Sequence, residues 1–324
     1  MIITQTPLRI SFAGGGTDFP DFFNKHRGRV VSMAVDKYIY CVVKERFDDL
    51  IVVGYTKREV VEKVAEIGHE LVREAMRKTG VKKGVEITFL SDIPSAGSGL
   101  GSSSAVTVGV LNALYQYRGK AVEAVKLAEE ACEIEIEILG KPVGVQDQYI
   151  AAFGGIRYME FSGRGVKVSE VAVNGETKDD LEKQLMVFYT GRTRQAEEVL
   201  AEQKENISKK TKLLNQMVDQ AVKAKEFLER GRIEDLGKLL NKGWQLKKQM
   251  ASRISDREID DKYRAAVKAG AWGGKICGAG GGGFLMLLVP GNRRDAVRRA
   301  VNGWREVPFG PAMDGSKVIF NVRR

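Results

Sequence analysis

Pro94-Ser-Ala-Gly97-Ser-Gly99-Leu-Gly101-Ser-Ser-Ser104-Ala105 is the stretch from which the rest of the chain can be read. Its three glycines let the backbone turn tightly and approach a ligand without a Cβ in the way. The serines 102–104 then open a helix carried by Val106, Val110, Leu111 and Leu114. A glycine turn feeding a helix N-terminus aims unpaired N–H groups and the positive dipole end at one spot, which suits a phosphate. No Lys follows the glycines, so this is not a Walker A loop. The third glycine of a dinucleotide fingerprint would fall on Ser102, so it is not that either. The plainer alternative is a glycine turn with a serine helix cap.

Four other stretches carry chemistry. Pro7-Leu-Arg9-Ile-Ser-Phe-Ala-Gly-Gly15-Gly16-Thr17-Asp18 is a strand ending in bare backbone, followed by a hydroxyl and a carboxylate. Asp18 there can accept from ligand hydroxyls and Arg9 can hold an anionic group, or the segment is simply a strand, a turn and an Asp cap. In a helix expected over 119–139, Ala121, Ala124, Ala128, Ala131, Cys132 and Leu139 share one small apolar face, while Glu123, Glu130, Glu133 and Glu137 share a solvated one. Glu135 falls in the middle of the apolar face, so it is either paired with a buried cation or a Mg²⁺ ligand. Asp147 opens a short helix between Gln146 and Gln148, as a plain cap or as a group that orients or deprotonates a hydroxyl. Lys275–Val289 contains Gly278, Gly280 and Gly283 in G-x-G-x-x-G spacing, but a strand follows where a dinucleotide site needs a helix. It reads as a loop packed against another backbone or a phosphate.

Bulk properties narrow the classes. With 324 residues, 43% hydrophobic and 29% charged, the composition is that of a globular protein long enough for two domains. No apolar run approaches the roughly 18 residues of a membrane span, and the start lacks a signal-peptide pattern, so a cytoplasmic protein is expected. Cys41, Cys132 and Cys277 lack C-x-x-C spacing and read as reduced thiols. Only His26 and His69 occur, which leaves no His-based metal cluster or Ser-His-Asp triad. The net charge of +10 is interleaved with acids along amphipathic helices, which argues against nucleic acid and membrane and for an anionic small substrate.

Strands are expected at 2–3, 8–12, 30–33, 38–43, 85–90, 156–161, 166–173, 185–189 and 317–322. Helices are expected at 57–79, 194–230, 233–251, 257–270 and 293–304. Trp244, Leu246 and Met250 read as core, and the polar run 174–180 as a boundary segment.

Taken together, these stretches resemble the GHMP kinases over essentially the whole length and in the family's order. Pro7-x-Arg9 with Asp18 is similar to the galactokinase first motif. Pro94 through Gly99-Leu-Gly-Ser-Ser resembles the phosphate loop, and Gly278–Gly283 the third motif, which packs beside it. Gly14–Asp18, Ile134–Gly140, Val145–Tyr149 and Phe188–Gly191 resemble the D-glycero-D-manno-heptose 7-phosphate kinases in particular; fucokinase-like domains share part of this pattern.

The resemblance implies an α+β, two-domain fold: a ribosomal protein S5 domain 2-like N-terminal domain (1–178) and a ferredoxin-like α/β sandwich (179–324). It implies ATP and Mg²⁺, with phosphate contacts from Pro94, Gly97, Ser98, Gly99, Leu100, Gly101, Ser102, Ser103 and Ser104, joined by Gly280 and Gly281. Asp147 would orient or deprotonate the sugar hydroxyl, and Arg9 would stabilise it. Gly15, Gly16, Thr17, Asp18, Tyr189, Gly191 and Arg192 would hold the sugar. Glu135 and one serine, chosen as Ser103, would ligate Mg²⁺. Arg192, Arg194 and Lys275 are candidates for a distal phosphate on charge and location. The implied reaction is phosphorylation of the C1 hydroxyl of the heptose 7-phosphate. The alternatives are a kinase for unphosphorylated fucose, galactose or a uronic acid, or a non-catalytic sensor of ATP and sugar. No nucleic-acid or membrane partner is expected, and a homodimer is left open.

Overall fold

The computed structural model describes residues 1–94, 97–192 and 196–322. The first part of the chain runs β1 (Ile2–Ala13), α1 (Pro20–Phe23), β2 (Gly28–Glu45), β3 (Ile51–Gly54), β4 (Arg58–Val61), α2 (Glu70–Thr79), β5 (Val85–Ser91) and α3 (Ser102–Tyr117). It continues through α4 (Ala124–Cys132), a π-helical turn (Glu133–Ile138), α5 (Gln146–Phe153), β6 (Ile156–Ser162), β7 (Gly165–Glu170) and α6 (Gly175–Gln184). The remainder is β8 (Leu185–Tyr189), α7 (Ala196–Asn206), α8 (Thr211–Glu229), α9 (Ile233–Lys248), α10 (Arg257–Lys268), β9 (Gly273–Ile276), β10 (Phe284–Leu288), α11 (Arg294–Ala300), β11 (Arg305–Glu306) and β12 (Lys317–Asn321).

The larger sheet has the order β12-β1-β2-β5-β3-β4, with β6 also on β2 and β7 on β6. Strand β2 is long enough to serve two neighbours on one side: 28–33 pairs with β6 and 39–45 with β5. The smaller sheet is antiparallel, β11-β8-β10-β9. Phe284–Leu288 is a continuous apolar run because both faces of β10 are covered: Phe284, Met286 and Leu288 enter one core, Leu285 and Leu287 the other. Trp244 and Met250 are buried in that second core, with Leu246 packed on it.

Five expectations change. The helix expected over 57–79 begins only at Glu70. Val60 and Val61 pair with β3, and the Glu59 carboxylate accepts from the Gly68 and His69 amides (2.5 and 3.0 Å), capping the late start from the neighbouring strand. Gly119 ends α3 in a left-handed turn, so the helix expected from 119 starts at Ala124 and then widens into the π-helical turn. Glu130, expected on the solvated face, is buried and accepts from the Tyr115 hydroxyl (2.8 Å). The polar run 174–180 is helical, since the Asn174 side chain caps α6 on the Thr177 amide (2.8 Å); the boundary expected at 178/179 therefore lies inside α6. The single helix expected over 194–230 is broken at Ser208–Lys210 into α7 and α8.

Candidate active site

Helix α3 is buried along most of its length, and its first turn faces a cleft of about 1260 Å³ between the two sheets. Two glycine loops meet at its entrance. A Cβ on Gly99 would lie 2.6 Å from the Cys277 carbonyl oxygen, and one on Gly278 would lie 2.6 Å from the Gly99 Cα. Only bare backbone allows that approach, which explains why both loops are glycine-rich. Ser98 and Ser102 hydroxyls bond each other (2.9 Å) and brace the turn from within.

Arg9, from β1, ties three elements together. Its Nε and one terminal nitrogen donate to the two Asp147 oxygens (2.7 and 2.6 Å), and the other terminal nitrogen donates to the Gly99 carbonyl (2.6 Å). Such bidentate, charge-assisted pairing fixes the carboxylate's direction. Burial opposes the charge on Arg9, but Asp147 outweighs it, so the guanidinium pKa is raised. Asp18, 2% exposed, accepts from the Gly16 amide (2.8 Å) and from Gln146 Nε2 (2.9 Å); burial raises its pKa despite those bonds. Gln146 in turn accepts from Ser32 (3.1 Å). The cleft thus holds two carboxylates on a fixed frame beside a helix N-terminus.

Glu135 is fully buried in the π-helical turn. Its Oε2 accepts from Ser103 and Ser104 (both 3.2 Å), while its Oε1 is buried without a partner. Burial, partly offset by Thr107 and Ser104, raises its pKa to about 7. Mg²⁺ binds through one or two carboxylates plus phosphate oxygens and water. An orphaned carboxylate oxygen beside a cleft-facing hydroxyl fits that ion, although no three His, Cys, Asp or Glu side chains cluster for a metal among the described residues.

The far end of the cleft is aromatic. His69 stacks on Phe89 (centroids 5.9 Å, 18°) and meets Tyr55 edge-on (4.8 Å), with Ile93 and Val106 nearby on the lining. Burial lowers the His69 pKa, and its Nδ1 is buried without a partner. A neutral, aromatic wall of this kind suits a flat heterocycle.

Comparison with known proteins agrees with this architecture. The family model described as GHMP kinases N terminal domain matches residues 55–155, and GHMP kinases C terminal matches 224–306. A D-glycero-alpha-D-manno-heptose 7-phosphate kinase of Campylobacter jejuni is 33% identical, over 93% of each chain. The chain belongs to the GHMP kinase family. Among solved structures, one titled as a D-glycero-D-manno-heptose 1-phosphate kinase from Bacteriodes thetaiotaomicron superposes with a TM-score of 0.83 at 25% identity, covering 100% of both chains. Lactococcus lactis galactokinase complexed with galactose shares the fold (TM-score 0.77, 19% identity, 98% of this chain and 94% of that one). The protein is accordingly an ATP-dependent GHMP sugar kinase, a phosphotransferase with an alcohol acceptor on a small-molecule sugar. No described helix is long and apolar enough to cross a membrane.

Not all residues implied by the GHMP resemblance reach the cleft. Arg9, Gly15, Gly16, Asp18, Pro94, Gly97, Ser98, Gly99, Gly101, Ser102, Ser103, Ser104, Glu135 and Asp147 line it. Leu100 is buried beneath the loop. Thr17 is fully buried, its hydroxyl donating to the Gly14 carbonyl (2.8 Å) and accepting from the Arg29 amide (3.0 Å), so it holds the turn and not a ligand. Gly280 and Gly281 pack against Ile254, away from the lining. Tyr189 packs on Phe284 (5.1 Å), Gly191 is off the lining, and Arg192 turns to Asp256 (2.7 Å) and Glu258. Ser95, Ala96, Thr193 and Arg194 lie outside the described residues. The sequence reading missed the aromatic end, because Tyr55, His69 and Phe89 come from three separate elements with no shared spacing. It also missed Lys247, which sits in an ordinary amphipathic helix yet reaches the cleft.

Proposed function

We propose that the protein transfers the γ-phosphoryl group of ATP to the C1 hydroxyl of D-glycero-D-manno-heptose 7-phosphate, giving the 1,7-bisphosphate and ADP. The observation that carries it is the Arg9 clamp, which fixes Asp147 beside the Gly99 turn and hence next to the phosphate loop. The choice of sugar rests on the heptose kinase relative. In this reading the 97–104 loop and the α3 N-terminus hold the triphosphate, and the Tyr55–His69–Phe89 wall holds the purine. Asp18 and the backbone of Gly15 and Gly16 hold sugar hydroxyls. Asp147 orients the C1 hydroxyl and takes its proton as the new O–P bond forms and the bond to the β-phosphate oxygen breaks. Phosphoryl transfer needs mostly positioning and charge neutralisation, so Arg9, held rigidly, offsets charge on the attacking oxygen. Glu135 and Ser103 would hold Mg²⁺, which when bound neutralises the triphosphate.

A coupled ADP-release assay over heptose 7-phosphate, unphosphorylated heptose, fucose, galactose and uronic acids tests the reading, with Asp147→Asn alongside. The expected result is turnover with heptose 7-phosphate above all other sugars and a loss of about 10²–10⁴-fold in kcat in the variant, with ATP binding retained. Preference for a free sugar would transfer the assignment to that sugar. Full activity of the variant would remove Asp147 from the reaction.

A further inference from the structure

Two lysines from the second half of the chain reach the same cleft as Arg9, and among the described residues neither is paired with an acid. Lys275, in β9, is 6% exposed and its side chain has no hydrogen-bond or ion-pair partner among the described residues. Lys247, in α9, is 7% exposed, and among the described residues its ammonium donates only to the Gly278 carbonyl (2.6 Å). The nearby carboxylates are committed elsewhere: Asp147 to Arg9, and Asp18 to Gly16 and Gln146. Buried ammonium groups left this way are costly unless an anion completes them. An independent unsatisfied group lies on the same lining: among the described residues, Ser11 Oγ is buried with no partner.

We propose that Lys275 and Lys247 are the subsite for the phosphate already on the sugar, the one that is not transferred. This rests on the reading of the substrate as a sugar phosphate. In that reading the 97–104 loop and the α3 N-terminus already serve the triphosphate, with Glu135 bonded to the loop's serines. That leaves the two lysines for the sugar's own phosphate. Lys141, also on the lining, is paired with Glu70 and Glu197, so Lys275 and Lys247 are the lining lysines left to distinguish a phosphorylated sugar from a neutral one. Arg192, which the sequence offered for this role, is neutralised by Asp256 and Glu258.

The test is a two-by-two comparison of kcat/KM: wild type and Lys275→Met, each with heptose 7-phosphate and with the unphosphorylated heptose at saturating ATP. Loss of a charged hydrogen bond predicts that the preference for the phosphorylated sugar falls about 10- to 100-fold in the variant, through KM and not kcat, with the KM for ATP unchanged. Equal losses on both sugars, or a fall in kcat alone, would place the lysine on the transferring phosphoryl or in the fold and overturn the proposal. Lys247→Met repeats the comparison should Lys275→Met lack a cooperative melt. A wild type with no preference for the phosphorylated sugar defeats the sugar-phosphate reading itself, and that failure is visible before any variant is made.

Discussion

Lys275 is the residue at which the site's chemistry and the fold's stability oppose each other. Burial lowers its pKa to about 7, with the like charges of Lys247 and Arg9 adding to the effect and Asp18 opposing it; burial likewise brings Lys247 to about 8. An exposed lysine titrates near 10.4. Between the folded and unfolded values the unfolded chain binds more protons, so stability rises with pH through that window and is lost as pH falls toward 7. Without ligand, the unfolding free energy is therefore expected to gain about 2 kcal/mol from Lys275 between pH 7 and 9. Urea midpoints of wild type and Lys275→Met over that range check it: the variant should be flatter and more stable at pH 7. Parallel curves would mean that Lys275 is not held in the low-dielectric setting its burial implies. Restricting the range to pH 9 keeps the Cys277 thiol, pushed up to about 11, out of the comparison.

At the scale of elements, the contact between the two glycine loops sets the shape of the cleft. Gly278 has φ +65° and no room for a Cβ against Gly99, so Gly278→Ala must both strain its backbone and push the loops apart. The left-handed conformation alone costs roughly 1–2 kcal/mol, and the overlap adds to it, so a loss of at least about 2 kcal/mol is expected. Gly175→Ala, where nothing lies within 4 Å, is the control and should stay within about 0.5 kcal/mol. Equal urea midpoints for the two variants would show that the loops part freely. This contact was legible in the sequence because glycine runs announce close backbone approach. Glu135 was legible because it breaks the apolar face of the helix that carries it, while Arg9 and Asp147 were singled out by the stretches that hold them. What was not legible arises from contacts between elements distant in sequence. Val60 and Val61 suit a helical stripe until β3 offers them a partner, and Glu130 looks solvated until Tyr115 reaches it. Tyr189 and Arg192 sit in a stretch that resembles a sugar-kinase motif, yet one is spent on Phe284 and the other on acids of α10 and its cap.

At the scale of the whole molecule, the two sheets do not divide the chain into two independent halves. Strand β12, from the end of the chain, pairs with β1 at the edge of the large sheet, and α8 packs across β1 and β2. Ala221, Leu228 and Leu236 lie in the same core as Ile10 and Val31, while Phe19 and Phe22 enter the core of the small sheet. The cleft is equally shared, with Arg9, Glu135 and Asp147 from before α6 and Gln203, Lys247 and Lys275 from after it. We propose that residues 1–178, expressed alone, lack a stable native fold. They would expose the β1 edge that β12 covers and the apolar face of β1 and β2 beneath α8, and they would cut α6 after its first turn. Exposed edges and apolar faces of this kind favour association over folding. Near-ultraviolet circular dichroism and a urea titration of the fragment test it: absent fixed aromatic signals and a broad, non-cooperative transition are expected. A sharp transition with native-like aromatic signals would show instead that the first sheet is self-sufficient. In that case the later elements contribute the lysines and close the cleft without holding the fold together.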